Sequence, residues 1–261
     1  ASNEITSEIT EKPVATVTAS ADAVCFGLSI TFTATPEGAD SYTWTVNGTN
    51  STTTENTITV DQAGTYDVSV AVSSADGCVY DPSVTVSAEI YAKPEVTLKS
   101  SGDICFGGTL TFTAEPASDE NTYAWTVNGE AHAETSSSIS FTEAGTYTVS
   151  VVMTDKNGCV SDASNEVTNV IFEKPEVTLS SSGDVCFGNT LTFTADPASD
   201  ENTYEWTVNG AAHAETSSSI SFTEAGSYTV SVVMTDKNGC ISDASNEITS
   251  EITEKPVATV T

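Results

Sequence analysis

Arginine is absent from the 261 residues, and the seven basic side chains, all lysine, stand against 37 acidic ones for a formal net charge of −30. Such a surface repels phosphate backbones and anionic lipid, which disfavours nucleic-acid and peripheral-membrane functions. It favours solubility, repulsion between neighbouring fibres, and tolerance of salt or divalent cations. Leucine and glutamine are scarce as well, while Thr, Ser and Val dominate, so strand formers outweigh helix formers and an all-β chain is expected. No apolar run approaches the roughly 20 residues that span a bilayer, so membrane insertion is not expected. Neither a signal peptide nor an initiator Met is visible, and targeting or anchoring segments are expected outside this window.

The signatures of catalysis are missing too. There is no G-x-S-x-G, no P-loop and no H-E-x-x-H. Paired carboxylates carry no signal on a surface this acidic. The two histidines, His132 and His213, lie 81 residues apart in equivalent loops, and they read as solvated loop residues. Without a C-x-x-C pair, a zinc site fails on spacing. No enzyme is expected. Asn47-Gly-Thr and Asn50-Ser-Thr match the glycosylation pattern, which by itself carries little weight. The lysines avoid apolar strand positions, which argues against intramolecular isopeptide links.

What the chain does have is period. Pro13, Pro94, Pro175 and Pro256 are each 81 apart, as are Trp44, Trp125 and Trp206, then Tyr66, Tyr147 and Tyr228, then Cys78, Cys159 and Cys240. Residues 94–174 and 175–255 differ at 12 of 81 positions, as after a recent duplication. Ala1–Thr18 returns unchanged as Ala244–Thr261, a shift of three periods, so the sequence reads as one window of a longer tandem array. The expected organisation is therefore a last strand of a preceding repeat at 1–12, repeats at 13–93, 94–174 and 175–255, and the first strand of a following repeat at 256–261.

The most repetitive stretch, Phe141–Cys159, recurs as Phe222–Cys240 and more loosely as Val60–Cys78. Tyr147, Val149, Val151 and Met153 fall on one face and Thr148 and Ser150 on the other, the period of a half-buried strand. Ala144-Gly145 supplies a turn before it. Asn157-Gly158 after it suggests a type I′ hairpin, as Asn128-Gly129 does at the end of the Trp125 strand. Within one unit the expected strands are Glu95–Ser100 (A), Thr109–Ala114 (B), Tyr123–Val127 (C), Ser138–Phe141, Tyr147–Met153 (F), and a last strand (G) reaching Phe172. Trp44, Trp125 and Trp206 are the expected core anchors, with Tyr66, Tyr147 and Tyr228. A Gly-x-Tyr opening a long strand is similar to the tyrosine corner of immunoglobulin-type sandwiches.

The run G-x-Y-x-V-x-V followed by Asn-Gly-Cys, with V/I-C-F-G before strand B and Y-x-W-T-V-N-G on strand C, resembles the PKD-like and Ig-like repeats of large secreted surface proteins of Bacteroidota-type bacteria. The resemblance covers all three units. It implies tandem β-sandwiches stacked end to end, extracellular or on the cell surface, in adhesins, motility filaments or enzyme spacers.

Six cysteines in what looks like a secreted protein make disulfides the default. Cys105 precedes strand B at the A–B and E–F end of the sandwich, whereas Cys159 sits in the F–G hairpin at the other end. The strand between Tyr147 and Cys159 separates those ends by roughly 30 Å at about 3.3 Å per residue, against a tolerated Cα separation of about 4.4 to 6.8 Å. In a head-to-tail stack the expected pairs are Cys25–Cys159 and Cys105–Cys240, with Cys78 and Cys186 bonding repeats outside the window. Pairing within each unit and free or interchain thiols are the alternatives.

A second candidate is Ca²⁺ at the junctions, held by Asp119, Glu120, Asp155 and Asn157 facing Asp22 and Asp61, and by Asp200, Glu201, Asp236 and Asn238 one repeat on. Solvated acidic loops are the plainer reading, since no D-x-D-x-D-G loop occurs. The expected role is a structural module giving length and stiffness to an extracellular filament or surface stalk, for adhesion or surface motility. Its partners would be neighbouring copies of the same repeat. The alternatives are a glycan- or protein-binding adhesin module, for which Tyr80 and Tyr91 are the odd aromatics, and a subunit that polymerises by strand donation.

Overall fold

The structure, a computed structural model, describes residues 14–74 and 78–257. The strand expected at 1–12 lies outside the described residues, as does most of the one at 256–261. Every regular element among the described residues is a β-strand. The first unit holds β1 (Thr16–Ala19), β2 (Ala23–Cys25), β3 (Ile30–Thr35), β4 (Ser41–Val46), β5 (Thr49–Thr53), β6 (Thr57–Val60), β7 (Gly64–Ser73) and β8 (Val86–Tyr91). The second holds β9 (Thr97–Ser100), β10 (Ile104–Cys105), β11 (Leu110–Glu115), β12 (Thr122–Val127), β13 (Glu130–Ala131), β14 (Ser138–Phe141), β15 (Gly145–Thr154) and β16 (Val167–Phe172). The third holds β17 (Thr178–Ser181), β18 (Leu191–Asp196), β19 (Thr203–Val208), β20 (Ala211–Ala212), β21 (Ser219–Phe222), β22 (Gly226–Thr235) and β23 (Ile248–Ile252).

Each unit is a two-sheet sandwich. In the second, β9, β11 and β14 form one sheet, and β10, β16, β15, β12 and β13 form the other in that order. Alternation decides what lies between them: Leu110, Phe112 and Ala114 point in from β11, Tyr123 and Trp125 from β12, and Val149, Val151 and Met153 from β15. Trp44, Trp125 and Trp206 are among the largest fully buried side chains. Three such cores repeat along the described chain. The architecture is a tandem of Ig-like β-sandwiches.

Tyr66, Tyr147 and Tyr228 sit at the rim of those cores, half-buried, and each hydroxyl donates to a backbone carbonyl four residues upstream: Gln62 (2.6 Å), Glu143 (2.9 Å) and Glu224 (2.9 Å). Gly145 opens that corner at φ 155°, a conformation that disfavours a Cβ. Tyr123 forms a second tie, its hydroxyl donating to the Pro116 carbonyl at 2.6 Å and fastening the B–C loop.

Three details differ from the sequence expectation. Asn128 and Gly129 both have positive φ, 52° and 84°, as a type I′ turn requires, but at the F–G hairpin only Gly158 does, at 82°. There the Asp155 carboxylate accepts the amides of Asn157 (2.9 Å) and Cys159 (2.8 Å), which closes the turn from its first residue. The last strand is not continuous after that hairpin. Ser161 and Ser164 offer hydroxyl oxygens to the amides of Met153 and Val151 at 2.9 and 3.1 Å, so regular pairing resumes only at Val167. Finally, after β9 the chain turns at Gly102 and crosses to the other sheet, where β10 pairs in parallel with β16, Cys105 opposite Phe172.

Candidate functional site

The chemistry of this chain sits where one sandwich meets the next. At the first joint, Cys25 ends β2, opposite Tyr91 of β8, and the Phe26 amide donates to the Tyr91 carbonyl at 2.9 Å. Its sulfur is thereby fixed where the chain leaves the first unit through Lys93 and Pro94. Across the joint, the Asp155 turn presents Cys159, which donates its amide to the carboxylate and accepts the Asp155 amide on its carbonyl at 2.9 Å. A Thr154–Val160 bridge secures the base of the hairpin.

Cys25 is bonded to Cys159 and Cys105 to Cys240, each with Cα atoms 5.4 Å apart, within the usual disulfide span. Both bonds join the A–B end of one unit to the F–G hairpin of the next. Cys159 and Cys240 are each only 1% exposed. Beside each bond a lysine of the linker reaches over: Lys93 Nζ lies 2.5 Å from Asp162 Oδ1, and Lys174 Nζ 2.5 Å from Asp243 Oδ1. The aspartates are 85% exposed, so each pair contributes roughly 0.2 to 1 kcal/mol and acts mainly by restraining the linker. Phe26, Leu28, Pro94 and Val160 line the groove around the first bond. Cys78 and Cys186 are free thiols, both exposed.

The residues named for calcium do not gather. Among the described residues no group of three or more His, Cys, Asp or Glu converges on a point. Asp155 and Asp236 spend their oxygens on their own hairpins, each accepting the amides of Asn157 and Cys159 or of Asn238 and Cys240. Glu120 and Glu201 lean toward Lys156 and Lys237 at 3.9 and 3.8 Å. Asp119 and Asp200 lie exposed in the same B–C loops. Asp61 accepts from Gln62, its sequence neighbour, and Asp22 is engaged through its carbonyl by the Glu89 amide. Backbone amides and lysines engage several of these carboxylates.

The histidines pack edge-on against Phe141 and Phe222, with ring centres 5.9 Å apart in both units. Nearby, the amide and hydroxyl of Ser136 and the Thr135 amide hold the Glu134 carboxyl below its usual range, and Ser217 and Thr216 do the same for Glu215. Tyr80, proposed as a loop-tip aromatic, packs against the first core. Tyr91 is half-buried beside Cys25.

Sequence reasoning missed Asn165 and Asn246. Asn165 accepts the Leu98 amide on its side-chain oxygen at 2.9 Å and donates to the Leu98 carbonyl at 3.1 Å. It thus stands in for a strand partner along β9, and Asn246 repeats the arrangement with Leu179. The corresponding residue of the first unit is Val84, which is 80% exposed. That Asn/Val contrast was the only available signal.

No family model matches this sequence, and no curated protein matches it. Solved structures similar to it include the three N-terminal domains of the bacteriophage RB49 highly immunogenic outer capsid protein, at 15% identity and TM-score 0.38 over 92% of this chain and 99% of that one. A 1.5-MDa bacterial ice-binding adhesin matches at 15% identity and TM-score 0.39, over 93% and 99%. The FN1–FN3 domains of chicken CNTN1 match at 12% identity and TM-score 0.33, over 93% and 99%. These scores are too low to bear on function, and each is a likeness only.

Proposed function

We propose that this chain is a structural segment of an extracellular filament or cell-surface stalk, in which repeats 13–93, 94–174 and 175–255 supply length and the joints between them supply stiffness. The observation that carries this reading is the pair of disulfides that cross from one repeat to the next, Cys25–Cys159 and Cys105–Cys240. A bond inside a sandwich would stabilise that body alone, whereas these hold neighbouring bodies in a set relation. The lysine–aspartate pairs and the short Lys-Pro linkers restrict the same joints. A high acidic charge keeps parallel fibres apart. The partners are neighbouring copies of the repeat, for adhesion or surface motility, and no catalytic role is proposed.

Small-angle scattering of the purified chain with and without thiol reductant tests this. An oxidised chain should give one narrow distribution of maximum dimension, which broadens on reduction as the joints begin to swivel. The same broad distribution in both states would refute a stiffening role.

A further inference from the structure

Cys186 and Cys78 are the two halves of a third joint of the same kind. Cys186 is the counterpart of Cys105, 81 residues earlier, and of Cys25, a further 80 earlier, and Cys78 is the counterpart of Cys159 and Cys240 by the 81-residue period. In both internal joints those counterparts are bonded. The cysteine of the hairpin half is buried there to 1% exposure, while Cys78 is exposed.

The surroundings repeat as well as the sulfur. Cys186, Phe187, Thr253, Glu254, Lys255 and Pro256 line one groove at the end of the third unit. The groove of the first joint is built from the corresponding Cys25, Phe26, Lys93 and Pro94, filled from the other side by Gly158, Cys159 and Val160. On the hairpin half, the Cys78 amide donates to Ser74 Oγ at 3.2 Å and its carbonyl accepts the Ser74 amide at 2.9 Å. These contacts of Ser74 to Cys78 parallel those of Asp155 to Cys159, and Ser73 bridges Val79 beside them.

The sequence also says which hairpin fits. Ala1–Thr18, the run that leads into the first unit, is identical to Ala244–Thr261, the run that leaves the third. The first unit is therefore matched to follow a face with the third unit's last strand.

We infer that the Cys186 groove receives the Cys78 hairpin of a second copy of this chain, and that the two thiols close an intermolecular disulfide joining copies head to tail. This rests on the reading of the internal joints given above. A head-to-tail contact of this kind propagates as a fibre wherever the rotation between copies does not close it into a ring.

The bond needs a two-electron oxidant, here a small disulfide such as oxidised glutathione. The Cys186 thiolate attacks one glutathione sulfur and expels a glutathione thiolate. The Cys78 thiolate of the second copy then displaces the other glutathione from the mixed disulfide. One sulfur–sulfur bond is broken and one made, and the two protons end on two reduced glutathiones.

The test is non-reducing electrophoresis of the full chain in an oxidised-glutathione buffer, with Cys78→Ser and Cys186→Ser alone and mixed. Both thiols are exposed, so neither variant disturbs a core. The parent chain should form a covalent ladder, each single variant should stay monomeric, and the mixture should give one dimer band and stop. Its digest should contain a Cys78–Cys186 linked peptide. Dimers of either single variant alone, or a parent chain that forms no ladder, would overturn the inference. The same digest separates the two claims: linked Cys25–Cys159 and Cys105–Cys240 peptides in a chain that never polymerises would leave the internal joints standing and remove only this one.

Discussion

Pulled from its two ends, the oxidised chain should run out of length long before the reduced one. Cys25 is tied to Cys159 and Cys105 to Cys240. The shortest covalent route therefore runs from residue 1 to Cys25, across to Cys159, back through the second unit to Cys105, across to Cys240 and on to Thr261. That route holds about 100 residues, so at roughly 3.5 Å each the unravelled oxidised chain spans about 350 Å, against about 900 Å when all 261 residues are in line. The loops overlap between Cys105 and Cys159, and this makes the effect non-additive. With either bridge removed, the other still bypasses most of its 134- or 135-residue loop, leaving about 125 residues in line and a span of only about 440 Å. In the chain-entropy account each loop alone is worth about 5 kcal/mol, and the shared segment makes the pair worth less than twice that. Single-molecule force extension measures these lengths directly, in buffer, with thiol reductant, and for Cys159→Ser. Equal spans in the two redox states, or a single-bridge variant midway between the extremes, would refute the route.

Other outcomes follow from single contacts. Trp125 and Trp206 donate their indole N–H to the carbonyls of Ser136 and Ser217 at 2.9 Å, while Trp44 Nε1 is buried with no partner among the described residues. Replacing Trp by Phe should then cost about 1 kcal/mol more at 125 or 206 than at 44, measured by urea unfolding. Asn165→Ala removes both bonds to Leu98 and should cost roughly 1 to 2 kcal/mol, with faster amide exchange at Leu98 as its local signature. Gly145→Ala meets a φ of 155° and should destabilise the second unit by about 1 kcal/mol or more, seen as a lower urea midpoint. The carboxyls of Asp103, Glu134 and Glu215 are all held below their ordinary values. Asn169 and the Val170 amide hold the first, Ser136 with Thr135 the second, and Ser217 with Thr216 the third. Their contribution is complete above the unfolded-state values near 3.8 to 4.5 and is lost as pH falls through the lower folded values. Melting temperature should accordingly fall as pH drops from 5 to 3, and less so in Glu134→Gln.

Much of the sandwich is legible in the sequence because its strands are half-buried and long enough to show their period. Tyr147 to Met153 alternates cleanly, and the Gly-x-Tyr corner announces where β15 begins. The end of the sandwich on which each cysteine lies is legible too, since strand rise sets how far Cys159 is from Tyr147. Which thiol meets which is a tertiary fact. Illegible are the elements whose reason is non-local. Two residues, Ile104 and Cys105, show no period, and β10 exists because β16 offers them a parallel edge. Asn165 looks like any loop amide until Leu98 is placed beside it. The charge of the acidic loops can be counted along a chain, whereas the backbone amides that engage Asp155 cannot.

Because the two sulfur bridges overlap, nearly the whole molecule is doubly routed. A protease that nicks any one peptide bond between Cys25 and Cys240 leaves both fragments tied to each other through at least one surviving bridge. Severing it takes three cuts, one in each of the segments 25–105, 105–159 and 159–240, or one cut and a reductant. That is tolerance to damage written into the connectivity.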